Sequence, residues 1–146
     1  MKIERKITNK RYSREKRAKE DIKYIVVQSI EDGKLSHYRI INGKAIQFIP
    51  DIEISDSVNG ARLTTFGYLH GICNQYNSIS IGLADDLSSE DIQICFNLIM
   101  TLKQRYRIDK GNIVRQKDVT GMVNPKIWWT DQDWENDIKS KLIDIS

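Results

Sequence analysis

Alternation of apolar and polar residues divides the chain into short strands and two helices. Residues 24–30 form a β-branched run, which is typical of a strand buried on both faces. Apolar-rich runs at 35–41 and 45–49 flank Asn42-Gly43, a sequence that strongly favours a β-hairpin. Residues 78–83 alternate with a period of two and predict another strand, whose one face carries Ile79, Ile81 and Leu83.

Helices are predicted where apolar residues recur every three or four positions. Ser88 with Asp91 forms a capping box. The helix after it ends at 109–111 and carries an apolar stripe of Ile92, Cys95, Phe96, Ile99, Leu102 and Tyr106. Cys95 is therefore interpreted as a core residue rather than a reactive thiol. A second amphipathic helix is predicted over 131–143.

The remaining segments complete the predicted order. Residues 112–116 are a candidate short strand, whereas 51–77 and 118–125 are expected to be loops, the first of them packing over one end of the sheet. Mixed strands followed by helix, strand and helix predict a single α/β domain in which a central mixed β-sheet is flanked by helices.

Composition agrees with one globular domain. The 146 residues are 40% hydrophobic and 29% charged, and no apolar run reaches the roughly 20 residues that span a bilayer. The charged start is unlike a signal peptide, so we expect a cytoplasmic protein. Cys73 and Cys95 form neither a CxxC pair nor a disulfide framework, and we interpret both as reduced thiols. This cysteine pattern excludes a zinc ribbon.

Charge is concentrated near the start of the chain. Residues 1–20 contain nine Lys or Arg and three Glu, a balance of +6, so the other residues carry −3 of the net +3. We therefore divide the chain into a basic N-terminal arm at 1–20 and a domain at 21–146. Such an arm could contact phosphate, anionic lipid or an acidic wall polymer, or it could be a solvated terminal segment. Specific nucleic-acid binding is not predicted.

Four segments, in order, carry a resemblance to a known family. They are Tyr-Ile-Val-Val-Gln at 24–28, His-Tyr through Gln-Phe-Ile-Pro at 37–50, the segment 69–83 with Asn-Ser-Ile-Ser-Ile-Gly, and 112–125 with Asp-Val-Thr-Gly in register with Pro. Together with Trp134-Glu they resemble the zinc-dependent N-acetylmuramoyl-L-alanine amidases of phage endolysins, whose fold peptidoglycan recognition proteins share. The resemblance covers most of residues 8–142 and implies an α/β domain directed at peptidoglycan.

The chain departs from that family at the metal site. The family's ligands are a His ending the first strand, a His before the Asp-Val-Thr-Gly run and a Cys or Asp before the Pro. These positions are Gln28, Gln116 and Asn124 here, and Gly82 stands where the family has a Glu that assists the attacking water or orders the site. Carboxamides are poor zinc donors, because their oxygens are neutral and their nitrogens have no free lone pair. We therefore expect no zinc and no other cofactor.

Other metal or nucleophile sites are weakly supported. His37 matches a family His that is not a ligand, and we interpret it as a hydrogen-bonded structural residue. His70 lies three residues before Cys73, a pair that would hold zinc only with further ligands converging. No nucleophile elbow such as Gly-x-Ser-x-Gly occurs.

These observations lead to a functional prediction with open alternatives. We expect a catalytically inactive, endolysin-derived protein that is not an enzyme. Its vacated pocket would be lined by Gln28, Asn77, Gln116 and Asn124 and would bind peptidoglycan or a muropeptide. A protein partner from a lysis or export system is a second possibility. The alternatives are a functional amidase cleaving the bond between muramic acid and L-alanine, and a phage remnant without a binding role. The short 29–36 connection predicts a shallower or reshaped groove. Access to the wall would require a holin or lysis.

Overall fold

A mixed β-sheet forms the centre of the protein. The computed structural model describes residues 1–9, 15–31, 33–58 and 67–144. In this part of the chain six strands are ordered β1-β4-β3-β5-β2-β6. In chain order the strands are β1 Ile3–Arg5, β2 Tyr24–Ser29, β3 Tyr38–Ile41, β4 Lys44–Gln47, β5 Ser78–Leu83 and β6 Ile113–Arg115.

Strand pairing confirms the predicted mixed α/β sheet. The β3–β4 hairpin is antiparallel, as Asn42-Gly43 predicted, with both of these residues at positive φ. The other pairs are parallel. Strand β2 lies between β5 and β6, and its register places Gln28 beside Gly82 and Val27 beside Arg115. The carboxyl ends of β2, β5 and β6 therefore meet at one edge.

Three α-helices accompany the sheet in the described chain: α1 Ser89–Tyr106, α2 Gln116–Thr120 and α3 Asp131–Asp137. Helix α1 begins at the predicted Ser88–Asp91 capping box. It covers one face of the sheet and forms the larger core, whose buried members include Ile25, Val27, Ile79, Ile81, Cys95, Leu98, Ile99 and Leu102. Cys95 is fully buried there, as predicted.

The opposite face of the sheet carries a smaller core and a polar strip. Its apolar cluster consists of Val26, Val58, Cys73, Val114 and Val119. Strand β5 presents Ser78, Ser80 and Gly82 at alternate positions. Segments before and after residues 59–66 supply Val58 and Cys73 to this face, so the predicted surface loop at 51–77 is buried in part.

Three helix boundaries differ from the sequence expectation. The predicted loop at 118–125 overlaps α2, which forms because the Asp118 carboxylate accepts the Arg115 backbone N–H and Gly121 takes a left-handed φ of 76° at its end. The last helix stops at Asp137 rather than running to 143, and a 3₁₀ turn follows at Lys139–Lys141. Helix α1 ends at Tyr106, before the predicted stop.

The basic segment is joined to the domain at two described points. Strand β1 pairs in parallel with Ala45–Gln47 of β4. The Arg17 guanidinium donates to the backbone oxygens of Asp51 and Gln75, at 2.8 and 3.1 Å. At these points the segment is not a solvated tail. Residues 10–14 of the arm and 59–66 of the predicted loop lie outside the described residues. No described helix is long and apolar enough to span a membrane.

Candidate active site

Four of the predicted site positions meet at the carboxyl edge of the sheet. Gln28 and Gly82 are register neighbours on β2 and β5, and Gln116 directly follows β6. Asn124 reaches the same edge from the segment after α2, where its Oδ1 accepts the Ser29 backbone N–H at 2.7 Å. Carboxyl ends of parallel strands are the usual ligand sites of α/β sheets, so the location fits a functional edge.

The two glutamines are buried, and the side chain of each donates one hydrogen bond. Gln28 is 3% exposed and its Nε2 donates to Ser36 Oγ at 3.1 Å. Gln116 is 5% exposed and its Nε2 donates to the Val58 backbone oxygen at 2.7 Å. Neither Oε1 atom has a hydrogen-bond partner among the described residues. A buried unpaired acceptor costs about 1–3 kcal/mol, so both oxygens favour an N–H or O–H donor.

Gly82 makes room for Ser36. A Cβ added to Gly82 would lie 2.7 Å from Ser36 Oγ and 3.1 Å from Ile30 Cγ1. Ser36 is buried, so its hydroxyl occupies space that a side chain at position 82 would need. Sequence reasoning missed Ser36, although a glycine inside a strand often marks such a close approach.

Asn77 is not part of this group, contrary to the prediction that it lines the same pocket. The residue precedes β5, and the first residue of that strand, Ser78, pairs with Tyr24 at the amino end of β2. Five residues of β-strand separate positions 77 and 82 by roughly 17 Å. The Asn77 side chain instead donates to the Ile72 backbone oxygen and accepts the Asn74 N–H.

Zinc, which the resemblance implies, does not fit the residues at this edge. A catalytic zinc is held by about three charged or strongly basic ligands. The edge offers three neutral carboxamides, and both glutamine nitrogens already act as donors. Across the described residues no group of three His, Cys, Asp or Glu side chains converges on a possible metal position.

The remaining thiol and imidazole candidates have structural environments. Burial raises the pKa of the Cys73 thiol to about 12, and the side chain belongs to the smaller apolar core. His37 is fully buried. Its Nδ1 accepts a hydrogen bond from the Ser80 backbone N–H at 3.1 Å, so the ring proton is on Nε2. Nε2 in turn donates to the Glu53 backbone oxygen at 2.7 Å. The interpretation of His37 as a structural residue is confirmed.

The Asp-Val-Thr-Gly run acts through the backbone. Asp118 accepts hydrogen bonds from the Arg115 backbone N–H and from its guanidinium, at 2.9 and 3.0 Å. Thr120 Oγ1 donates to the Gln116 backbone oxygen. Arg115 also donates to the Asp131 carboxylate at 2.7 Å and to the Trp128 oxygen at 3.0 Å. The run thus builds α2 and places Gln116 at the edge.

A cleft of about 580 Å³ lies beside α2, and sequence reasoning did not find it. The cleft has mixed charge, because its lining includes Tyr68, the cations Arg115, Lys117 and Lys139, and the carboxylates Asp118, Asp131 and Glu135. Trp129 does not line the cleft but contacts Lys117, which does: Lys117 Nζ lies 5.9 Å from the Trp129 ring centroid and donates to the Trp129 backbone oxygen at 2.8 Å. Tyr68 and Trp129 are both exposed. Exposed aromatic side chains next to cations are suited to a ligand that combines sugar rings with carboxylates.

Comparison with known proteins identifies the architecture. No family model and no curated protein matches the sequence. Solved structures do match. The catalytic domain of XlyA aligns with a TM-score of 0.67 and 18% identity over 94% of this chain and 99% of that domain. PlyL aligns with 0.69 and 17% identity over 96% of each chain. The chain has the fold of endolysin amidase domains. The N-acetylmuramoyl-L-alanine amidase LysC from Clostridium intestinale also matches, at 0.59 and 14% identity over 86% of this chain and 89% of that one.

These matches correct one prediction. The expectation that the chain is not an enzyme rested on four replaced positions, whereas the matched structures include a catalytic domain and an amidase. The alignments cover 99% of the XlyA domain and 89% of LysC, so no large part of the architecture is missing. Replaced metal ligands alone therefore do not make the chain a non-enzyme.

Proposed function

We propose that this protein acts on bacterial peptidoglycan as an amidase of this fold, directed at the bond between muramic acid and L-alanine. The observation that carries the proposal is the shared fold, which extends over 94–96% of this chain and 96–99% of the XlyA and PlyL domains. The carboxyl edge with Gln28, Gln116 and Asn124 is the proposed substrate position.

The side chains at this edge are suited to holding an amide substrate. Carboxamides donate and accept hydrogen bonds. The Oε1 atoms of Gln28 and Gln116 are buried, whereas Asn124 is half-buried, so Asn124 is the carboxamide placed to contact a peptide stem while the glutamines support the edge from inside. None of the three carboxamides can remove a proton from water at neutral pH. Hydrolysis therefore requires an acid–base group beyond these positions, and the role of the carboxamides is to bind and orient.

The cleft beside α2 extends the proposed substrate surface. Asn124 is joined to α2 by the hydrogen bond from the Lys117 backbone N–H to its backbone oxygen. Trp129 offers a half-exposed ring for stacking on a sugar, and Lys117 offers a cation for stem-peptide carboxylates. Peptidoglycan contains both groups. Recognition by a protein of a lysis or export system, and release by a holin, stay predictions.

Cleavage is tested with purified full-length protein and insoluble peptidoglycan. Amidase action separates the stem peptide from the glycan, so mass spectrometry is expected to show free peptides beginning with L-alanine. Peptidoglycan whose stem peptides all stay attached to muramic acid after long incubation would contradict the proposal. A mock preparation purified from cells without the gene controls for contaminating hydrolases.

Trp129→Ala is expected to weaken co-sedimentation with peptidoglycan by about fivefold, because an aromatic stacking contact is worth on the order of 1 kcal/mol. Tyr76→Ala is the matched control. Its ring is 54% exposed, against 50% for Trp129, but it lies beside Asn77 at the other end of β5. Equal binding of Trp129→Ala and Tyr76→Ala to peptidoglycan would remove Trp129, and the cleft next to it, from the proposed surface.

A further inference from the structure

We propose that the position where relatives of this fold would hold zinc is closed in this protein by a packed unit of Gln28, Ser36 and Gly82, with Gln116 beside it, and that it takes no zinc. The inference concerns the same edge as the proposed function but does not depend on cleavage. It rests on donor chemistry, on a steric contact and on the anchoring of Ser36.

Donor chemistry leaves too little for a zinc ion. The Nε2 atoms of Gln28 and Gln116 are committed as donors to Ser36 Oγ and to the Val58 oxygen. Asn124 Oδ1 already accepts the Ser29 N–H at 2.7 Å. What remains free within the described residues is two neutral carbonyl oxygens. Neutral oxygens suit N–H donors far better than Zn²⁺, which binds N, S or carboxylate ligands.

The steric contact blocks a larger residue at position 82. The 2.7 Å separation between an added Cβ and Ser36 Oγ is shorter than any normal carbon–oxygen contact. Ser36 is only 2% exposed, so its side chain has no solvent to move into. Gly82 and Ser36 therefore behave as a complementary pair.

Both neighbours of Ser36 are held in place. The Leu35 backbone oxygen accepts a hydrogen bond from Ser55 Oγ. On the other side, the His37 backbone N–H donates to Ser80 Oγ at 3.1 Å, and the His37 ring Nε2 donates to the Glu53 backbone oxygen at 2.7 Å. These bonds fix the backbone on both sides of Ser36, so its hydroxyl can leave this space only by rotation about χ1, which breaks its buried hydrogen bond from Gln28 Nε2.

Metal content tests the inference that this position takes no zinc. Full-length protein is equilibrated with excess zinc chloride, desalted and analysed by mass spectrometry of metals. We expect well below one zinc per chain. One zinc per chain that disappears in both Gln28→Ala and Gln116→Ala would overturn the inference. Zinc that is retained equally by wild type and both variants would lie elsewhere and would support it.

A positive control restores the family ligands. The variant Gln28→His, Gln116→His, Asn124→Cys is prepared with Ser36 and with Ser36→Gly. We expect more zinc per chain when Ser36 is removed, because the closing hydroxyl is gone. Higher zinc content with Ser36 retained would contradict a closing role for this residue.

Stability tests the steric pair without any metal or peptidoglycan. Gly82→Ala is expected to lower the urea midpoint of unfolding, and Ser36→Gly in the same chain is expected to restore much of it. Gly111→Ala is the matched control, because a Cβ there meets nothing within 4 Å. The pairing would be refuted by a Gly82→Ala midpoint equal to that of Gly111→Ala, or by a double variant no more stable than Gly82→Ala.

The two proposals can fail separately. Release of L-alanine peptides by zinc-free protein would support both of them. One zinc at the Gln28–Gln116 edge together with chelator-sensitive cleavage would support the proposed function and overturn this inference. A zinc-free protein that leaves peptidoglycan intact would support this inference and overturn the proposed function.

Discussion

Replacing Arg115 by Met is expected to lower the free energy of unfolding by about 3 kcal/mol, because it leaves the buried Asp118 carboxylate without its cation. The two side chains are 6% and 7% exposed and lie 3.0 Å apart. Arg115 also joins Trp128 and Asp131 to β6, and its guanidinium lies 5.9 Å from the Trp134 ring centroid. Urea denaturation monitored by circular dichroism measures the loss.

Two further variants distinguish the buried pair from a general charge effect. Arg115→Met with Asp118→Asn removes both charges but keeps a side-chain oxygen that can accept the backbone N–H at position 115, and it is expected to recover part of the stability, since no ion is left buried. Lys126→Met removes an exposed cation and is expected to change the free energy of unfolding by less than about 0.5 kcal/mol. A loss in Lys126→Met as large as that in Arg115→Met would exclude the ion-pair explanation.

Stability is expected to fall by about 3 kcal/mol as the pH drops from 6.5 to 4 through the titration of His37. Burial, and secondly the positive charge of Arg17, lower the pKa of His37 from 6.5 to about 4. The hydrogen bond to the Glu53 backbone oxygen and the charge of Asp51 raise this pKa, but by less. In this window the unfolded chain binds a proton that the folded chain does not. The contribution is complete above pH 6.5 and is lost as the pH approaches 4.

Unfolding free energies measured from pH 7.5 to 4 in wild type and in His37→Gln test this expectation. The glutamine amide can still donate to the Glu53 oxygen but cannot titrate, so its stability is expected to depend less on pH across the window. His70→Gln is the control, because His70 is the other histidine and its side chain is exposed. An identical fall in wild type and His37→Gln would show that other groups carry the acid sensitivity.

Both predictions concern residues that support the site without occupying it. Arg115 and Asp118 hold α2, which places Gln116 and Lys117. His37 and Ser80 hold the segment that carries Ser36. The literal Asp-Val-Thr-Gly run is thus explained by backbone geometry: a buried capping carboxylate, a hydroxyl bonded back to the first residue of the helix, and a glycine at positive φ.

Local patterns predicted a large part of the fold. The Asn42-Gly43 turn and the Ser88–Asp91 cap were correct because their signals lie within a few neighbouring residues. Helix α2 was missed because its five residues are stabilised by Arg115 and by Gly121 rather than by apolar periodicity. The last helix was predicted too long because the apolar spacing at Trp134, Ile138 and Leu142 continues through the turn that follows Asp137.

The sequence by itself determined the fold class, the succession of the main strands along the chain and the replacement of the family's ligand positions by Gln28, Gln116 and Asn124. Only the tertiary structure decided that Asn77 lies at the far end of β5, that Ser36 fills the space beside Gly82, and that a cleft opens next to α2. The physical reason is that strand periodicity and turn chemistry act between close neighbours in the chain. Register, steric complementarity and cleft shape depend on contacts between residues tens of positions apart.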